Sequence, residues 1–134
     1  MKKSKNSSDL HGIGRRKKSV ARVWLKPGKG KILVNDLEHK KYFDTDLSRT
    51  RVEFPLQLTS MNSKYDAVVN VCGGGMIGQS TAVSLGISRA LLTVDENLKK
   101  ILRQNGLLTV DSRVKERKKY GQKGARAKFQ FVKR

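Results

Sequence analysis

The stretch that decides the fold is residues 67–94, AVVNVCGGGMIGQSTAVSLGISRALLTV. Ala67–Cys72 is apolar except at Asn70 and reads as a largely buried strand. Gly73-Gly74-Gly75 breaks it. A helix is expected from about Met76 to Leu92, with Met76, Val83, Ile87, Ala90, Leu91 and Val94 as an apolar stripe near a 3.6-residue period. A strand, a glycine turn and an amphipathic helix in succession predict a helix laid on a sheet.

Upstream, Ser19–Leu25 alternates, with Ala21, Val23 and Leu25 on one face and Val20, Arg22 and Trp24 on the other, which is strand patterning. Pro27-Gly28-Lys29-Gly30 is a turn signal and Ile32–Val34 a returning strand. This reads as a hairpin with a basic loop of Lys26, Lys29 and Lys31. Asn35-Asp36 is a second turn. Leu37–Phe43 and Asp46–Leu58 read as helices, the latter anchored by Leu47, Val52, Phe54 and Leu58, with Pro55 unable to continue its hydrogen-bond ladder. Downstream, Asp95 suits the N-cap of a helix carrying Leu98, Ile101 and Leu102, Asn105-Gly106 terminates it, and Leu107–Val110 reads as a last strand. The expected class is α+β, a helix layer on one sheet.

The chain has 134 residues, 30 Lys+Arg against 11 Asp+Glu, and a net charge of +19. That length suits one domain. The charge sits at the ends. Residues 1–22 hold eight basic residues and one acid, and residues 113–134 hold ten and one, whereas residues 23–112 hold twelve and nine. The expected organisation is a flexible extension over 1–11, a globular body over 12–111 and an extended basic tail over 112–134. Single-sign charge blocks at chain ends are the usual form of nucleic-acid arms. The single Cys72 excludes an internal disulfide framework. It ends a strand and reads as a small core residue. His11 and His39 are expected at the surface. No Cys/His cluster has metal spacing, so neither metal nor cofactor is expected, and the scattered acids offer no catalytic dyad. No apolar run approaches membrane-spanning length. A lipid-facing basic helix would need an apolar stripe that the tail lacks. A DNA-coating architectural protein is the nearer rival.

Gly73, Gly75 and Gly78 fit G-x-G-x-x-G between a strand and a helix, and Asp95-Glu96 falls near the distance of a ribose-binding acid. That acid should end a second parallel strand, yet here it opens a helix. The strands are also too few for a doubly wound sheet. The glycines, with Gly74, therefore read as a tight turn for close helix–sheet packing, whose helix N-terminus could also face an RNA phosphate.

GGGMIGQSTAVSLGISRAL (73–91) resembles the signature of the small-subunit ribosomal protein nine family, through its three glycines, Gly78-Gln79, Ala82, Gly86 and Arg89-Ala90-Leu91. The tail resembles that family's C-terminus in Asp111-Ser112-Arg113, Glu116 to Gly121, Ala125-Arg126, Phe129-Gln130-Phe131 and Lys133-Arg134. GIGRRKKSVARVWL resembles the family's first strand. Ile77 stands where a small residue is usual, Gly124 where Lys is, and Val132 where Ser is. The ending resembles bacterial and organellar members.

The resemblance implies a two-layer α/β sandwich of the kind found in domain two of ribosomal protein five, with a left-handed crossover. It implies a non-enzymatic role in the head of the small ribosomal subunit, with neighbouring head proteins as partners, in cytoplasmic or organellar ribosomes. It also implies a tail threaded through ribosomal RNA toward the peptidyl-site transfer RNA. The residues expected on ribosomal RNA are Arg15, Arg16, Lys17, Lys18, Arg113, Arg117, Lys118, Lys119, Lys123, Arg126 and Lys128 through phosphates, and Tyr120, Phe129 and Phe131 through stacking or, alternatively, packed back on the body. Lys133 and Arg134 are expected on the transfer-RNA anticodon stem-loop.

Overall fold

The computed structural model describes residues 10–131. In chain order the elements are β1 (His11–Arg16), β2 (Ser19–Pro27), β3 (Ile32–Val34), β4 (Leu37–Glu38), α1 (His39–Tyr42), α2 (Asp46–Leu58), β5 (Tyr65–Cys72), α3 (Met76–Val94), a 3-10 turn (Glu96–Leu98) and α4 (Lys99–Gln104). The strands form one sheet in the order β1-β2-β5-β3-β4. The α+β class is what the sequence predicts; the connectivity is not.

The expected hairpin of Ser19–Leu25 with Ile32–Val34 does not form, because β5 lies between the two strands. It pairs antiparallel with β2 (Val23 opposite Val69) and parallel with β3 (Val34 opposite Val69). The segment 28–31 is instead a crossing loop, held by Asp66, whose Oδ1 accepts the amides of Lys29, Gly30 and Lys31 at 2.8–2.9 Å. These amides favour the charged carboxylate and hold its pKa below the usual value against partial desolvation. Strand β2 pairs along its other edge with β1, a strand the alternation pattern missed because Gly12 and Gly14 carry no side chain to read.

Asn35-Asp36 does turn the chain, with φ of 48° and 68°, into the short β4. The expected helix over Leu37–Phe43 therefore shrinks to the single turn of α1. Asn35 does more than turn. Its Nδ2 donates to Val71 O at 2.9 Å and its Oδ1 accepts Val71 N at 3.0 Å, so a side-chain amide completes the ladder of β5. Asn35→Ala removes both bonds, with a longer one to Tyr42 Oη, and puts at positive φ a residue that tolerates it less well than asparagine; we expect about 2–3 kcal/mol of destabilisation, seen in urea as a lower midpoint with unchanged slope.

The helices cover one face of the sheet. Ala21, Val23, Leu25, Ile32, Val34, Ala67, Val69 and Val71 meet Val52 and Leu56 of α2 and Ala82, Val83, Ile87, Ala90 and Leu91 of α3 in one core with Phe43, Leu98 and Leu102. Helix α2 runs through Pro55 to Leu58, and Thr59 Oγ1 donates to Pro55 O at 2.8 Å. Of its expected anchors, Val52 is buried, Leu58 packs at the core margin, and Leu47 and Phe54 are exposed. On α3 the expected stripe holds except at Met76, which is exposed where the helix begins. After α4, Leu107–Val110 forms no ladder: Leu107 and Leu108 lean on the core as irregular chain, and the expected last strand is absent.

Two further expectations are corrected. His39 is 5% exposed, with Nε2 bonded to Glu53 Oε1, because the turn of α1 directs it inward. Cys72 is exposed, because it falls on the outward phase of β5.

Candidate nucleic-acid interface

The glycine turn joins β5 to α3 with φ of +76° at Gly73 and +64° at Gly74. A Cβ on Gly73 would sit 2.4 Å from Lys18 O, and one on Gly74 2.2 Å from Ser19 Oγ. The turn can therefore lie directly against the β1–β2 turn, where Lys17 adopts φ of 52°. A polar chain fixes it: Ser19 Oγ and Gln79 Nε2 both donate to Gly73 O, and Tyr42 Oη donates to Gln79 Oε1. Gly75 then opens α3 with no side-chain cap, leaving its first amides to solvent or a ligand.

The C-terminal segment returns to this place. Arg16 is the fastener: its guanidinium lies 3.4 Å from the Asp111 carboxylate and donates to Arg113 O at 2.9 Å. Arg113 in turn chelates Asp111, with Nε and Nη2 at 3.0 and 2.7 Å from its oxygens. That pairing holds the Asp111 carboxyl well below the usual range and raises the Arg113 guanidinium. Lys17, Lys18, Ser19, Gly74, Gly75, Gly78, Lys115, Arg117 and Lys118 consequently line one open hollow of about 1140 Å³, with Met76, Ile77 and Val114 as its apolar surfaces and Glu116 as its one acid, outnumbered by five cations. Ile77 is 66% exposed, so its bulk sits on this hollow instead of crowding the turn. Arg15 lies apart, in a second hollow with Arg51 and Phe54. Lys115 escaped the sequence reading, though it belongs to the same charge run.

From Glu116 onward the C-terminal segment folds on itself. Glu116 pairs with Lys119 and, at 2.9 Å, with Arg126. Those two partners, Lys119 first, hold its carboxyl below the usual value. Gln122 bridges Lys128, and Lys123 N donates to Ala127 O at 2.9 Å. Because the Glu116 pKa is depressed on forming these pairs, their contribution is complete above the ordinary carboxylate range and fades as pH falls through the lowered value. Glu116→Gln is expected to speed amide exchange at Lys123 roughly several-fold near neutral pH; unchanged exchange would show that the clamp does not hold the turn. Tyr120 is 98% exposed and Phe131 88%, and Phe129 lies with its ring 5.8 Å from Lys123 Nζ. The alternative of these rings packing on the body does not occur. Lys133 and Arg134 lie outside the described residues.

A basic hollow with an uncapped helix end can hold phosphate oxygens by charge and by amide donation. Among the described residues no group of His, Cys, Asp or Glu is arranged to hold a metal ion, and no helix is long and apolar enough to cross a membrane.

Comparison with known proteins gives this interface a family. The model of the family described as ribosomal protein S9/S16 matches residues 14–134. The chain belongs to that family. The S9/S16 match begins at Gly14, within β1, and runs through the glycine turn to Arg134. A small ribosomal subunit protein uS9 of Cytophaga hutchinsonii is 55% identical over 125 residues, covering 93% of this chain and 98% of the relative. The uS9 of Chlorobium limicola is 52% identical over 122 residues (91% and 95%). That of Borreliella burgdorferi is 53% identical over 137 aligned positions, spanning both chains in full. The S9/S16 family is one of ribosomal proteins and not of enzymes.

Proposed function

We propose that this protein is a structural constituent of the small ribosomal subunit, docked by its body on ribosomal RNA in the subunit head, beside neighbouring head proteins, with its tail directed toward the transfer RNA in the peptidyl site. The observation that carries the reading is the meeting, at one hollow, of three segments distant in sequence: the Lys17-Lys18 turn, the uncapped start of α3 and the Lys115–Lys118 run. Its relatives are named as small ribosomal subunit proteins.

In this reading Lys17, Lys18, Arg117 and Lys118 neutralise phosphates around the hollow while the amides of α3 donate to one of them. Arg15 adds a phosphate contact from the side, and Arg16 and Arg113 aim the tail through Asp111 as well as facing RNA. Lys119, Lys123, Arg126 and Lys128 follow the RNA backbone outward. Arginine forks can bind two phosphate oxygens, and lysines act as point charges. Tyr120, Phe129 and Phe131, whose rings face solvent, stack on unpaired bases. The mode is positioning by backbone charge and RNA shape, not sequence readout. The parallel β3–β5 pair, joined through α1 and α2, is the crossover that belongs to the domain-two fold of ribosomal protein five in this reading. The site of action is the ribosome, with a basic tail extending from the body after Asp111.

Lys133 and Arg134 contact the transfer-RNA backbone. Deleting both from reconstituted small subunits is expected to weaken transfer-RNA binding at the peptidyl site by roughly tenfold, the size of a charge-assisted hydrogen bond. Unchanged affinity, with subunits otherwise intact, would remove that contact from the account.

A further inference from the structure

The face of the sheet opposite the helices bears a second organised surface. Side chains of one register row share a face, and the row through Trp24 runs His11, Trp24, Val68, Leu33 across β1, β2, β5 and β3. All four are half-buried, and none belongs to the core. The His11 and Trp24 rings lie 5.1 Å apart and tilted by 41°, so this face carries a contacting aromatic pair. Two cations flank it on β2. Arg22 precedes Trp24 and Lys26 follows it, each two residues and hence about 7 Å along the strand. Both are exposed, and neither makes an ion pair among the described residues. Two acids lie nearby. Glu38 is at the edge opposite Leu33, and Asp66 is opposite Lys26 with its Oδ1 occupied by the three loop amides.

We propose that this open sheet face is a second RNA-binding surface, on which an unpaired base stacks against Trp24 and His11 while Arg22 and Lys26 take the flanking phosphates. The inference rests on the RNA-binding reading above and adds to it a place on the body, separate from the hollow and the tail. Charge complementarity selects the occupant: exposed cations on both sides of an aromatic pair match a strand whose bases present flat faces between phosphates. A double helix keeps those faces stacked inside itself, so the ligand class is single-stranded RNA, a loop or a bulge.

Trp24 is the protein's one tryptophan, which makes the test specific. The full chain is titrated with oligoadenylate, with duplex RNA and with purified small-subunit ribosomal RNA. Trp24 emission is read together with filter retention, which reports binding by any surface. Quenching that saturates with retention for oligoadenylate and ribosomal RNA, but not for duplex RNA, is the expected result. Trp24→Ala should weaken oligoadenylate binding on the order of ten- to a hundredfold, and Trp24→Phe should restore most of it. Retention of ribosomal RNA with unchanged Trp24 emission, and Trp24→Ala binding within twofold of the parent, would overturn the proposal while leaving the tail and hollow as the RNA contacts. Equal quenching by duplex RNA would overturn base stacking. Absence of retention for every RNA would overturn both readings, and a protein partner would then be the candidate for this face.

Discussion

Replacing Arg117, Lys118, Lys119, Lys123, Arg126 and Lys128 by glutamine in the full chain is expected to flatten the salt dependence of ribosomal-RNA binding by about 4 in the slope of log K against log salt. Each phosphate neutralised on single-stranded RNA contributes about 0.7 through counterion release, and six are removed. At low salt the loss of affinity is expected to be on the order of several hundredfold, because six of the proposed phosphate contacts are removed while Arg15, Arg16, Lys17, Lys18, Arg113 and the sheet face remain. The fold should be untouched: these side chains lie beyond the core, and among the described residues their pairing with an acid is through Glu116. Filter binding across a salt series, with circular dichroism as the folding control, checks it. A slope within one unit of the parent's would mean that the tail does not carry the phosphate contacts.

Gly14→Ala is expected to be among the most damaging single methyls in the body. A Cβ there would lie 1.8 Å from Ala82 O and 2.6 Å from Gly86 N, both in the backbone of α3. Neither atom can swing away as a side-chain tip can. Relief requires α3 to move off β1, which would open the core shared with Val83 and Ile87. We expect a loss of about 3 kcal/mol or more, at the upper end of the range for overpacking, and a drop in Tm of more than about 12 °C for a body of this size. Gly75→Ala is the contrast. It introduces the same methyl at the start of the same helix with nothing within 4 Å, and should cost less than about 1 kcal/mol. Thermal unfolding of the two variants side by side decides the matter. Equal destabilisation would contradict the close approach of β1 to α3.

The same contact explains what was and was not legible in the sequence. Local pattern found β2 and α3 by the period of their apolar residues and β5 as an apolar run before a glycine turn, whereas α2 was found with two of its four expected anchors, Leu47 and Phe54, facing solvent. Strand β1 was hidden from the alternation pattern since its inward positions are Gly12 and Gly14, chosen for the nearness of α3 and not for apolar surface. The misplaced hairpin has the converse cause. Pro27 to Gly30 is a good local turn, but whether its flanking strands pair depends on β5, more than thirty residues later, entering between them. Leu107 and Leu108 have the residues of a strand and no free sheet edge to join. For Cys72 and His39 the deciding quantity was phase. Cys72 follows Val71 on a strand whose odd-numbered members face the helices, and His39 begins a helical turn that the sequence had started two residues earlier. The charge of the interface was plain from composition alone. Its geometry was not, because no local pattern brings Lys17 to Arg117; that meeting depends on Arg16 reaching Asp111, two residues at opposite ends of the body.

The measurement that bears most directly on the central claim is sedimentation of a lysate through a high-salt sucrose gradient, with the protein followed by antibody. Simple counterion-driven binding weakens steeply with salt, whereas a protein enclosed in the assembled particle is retained. The account predicts that it travels with the small ribosomal subunit. Recovery at the top of the gradient, free of the subunit, would contradict the account.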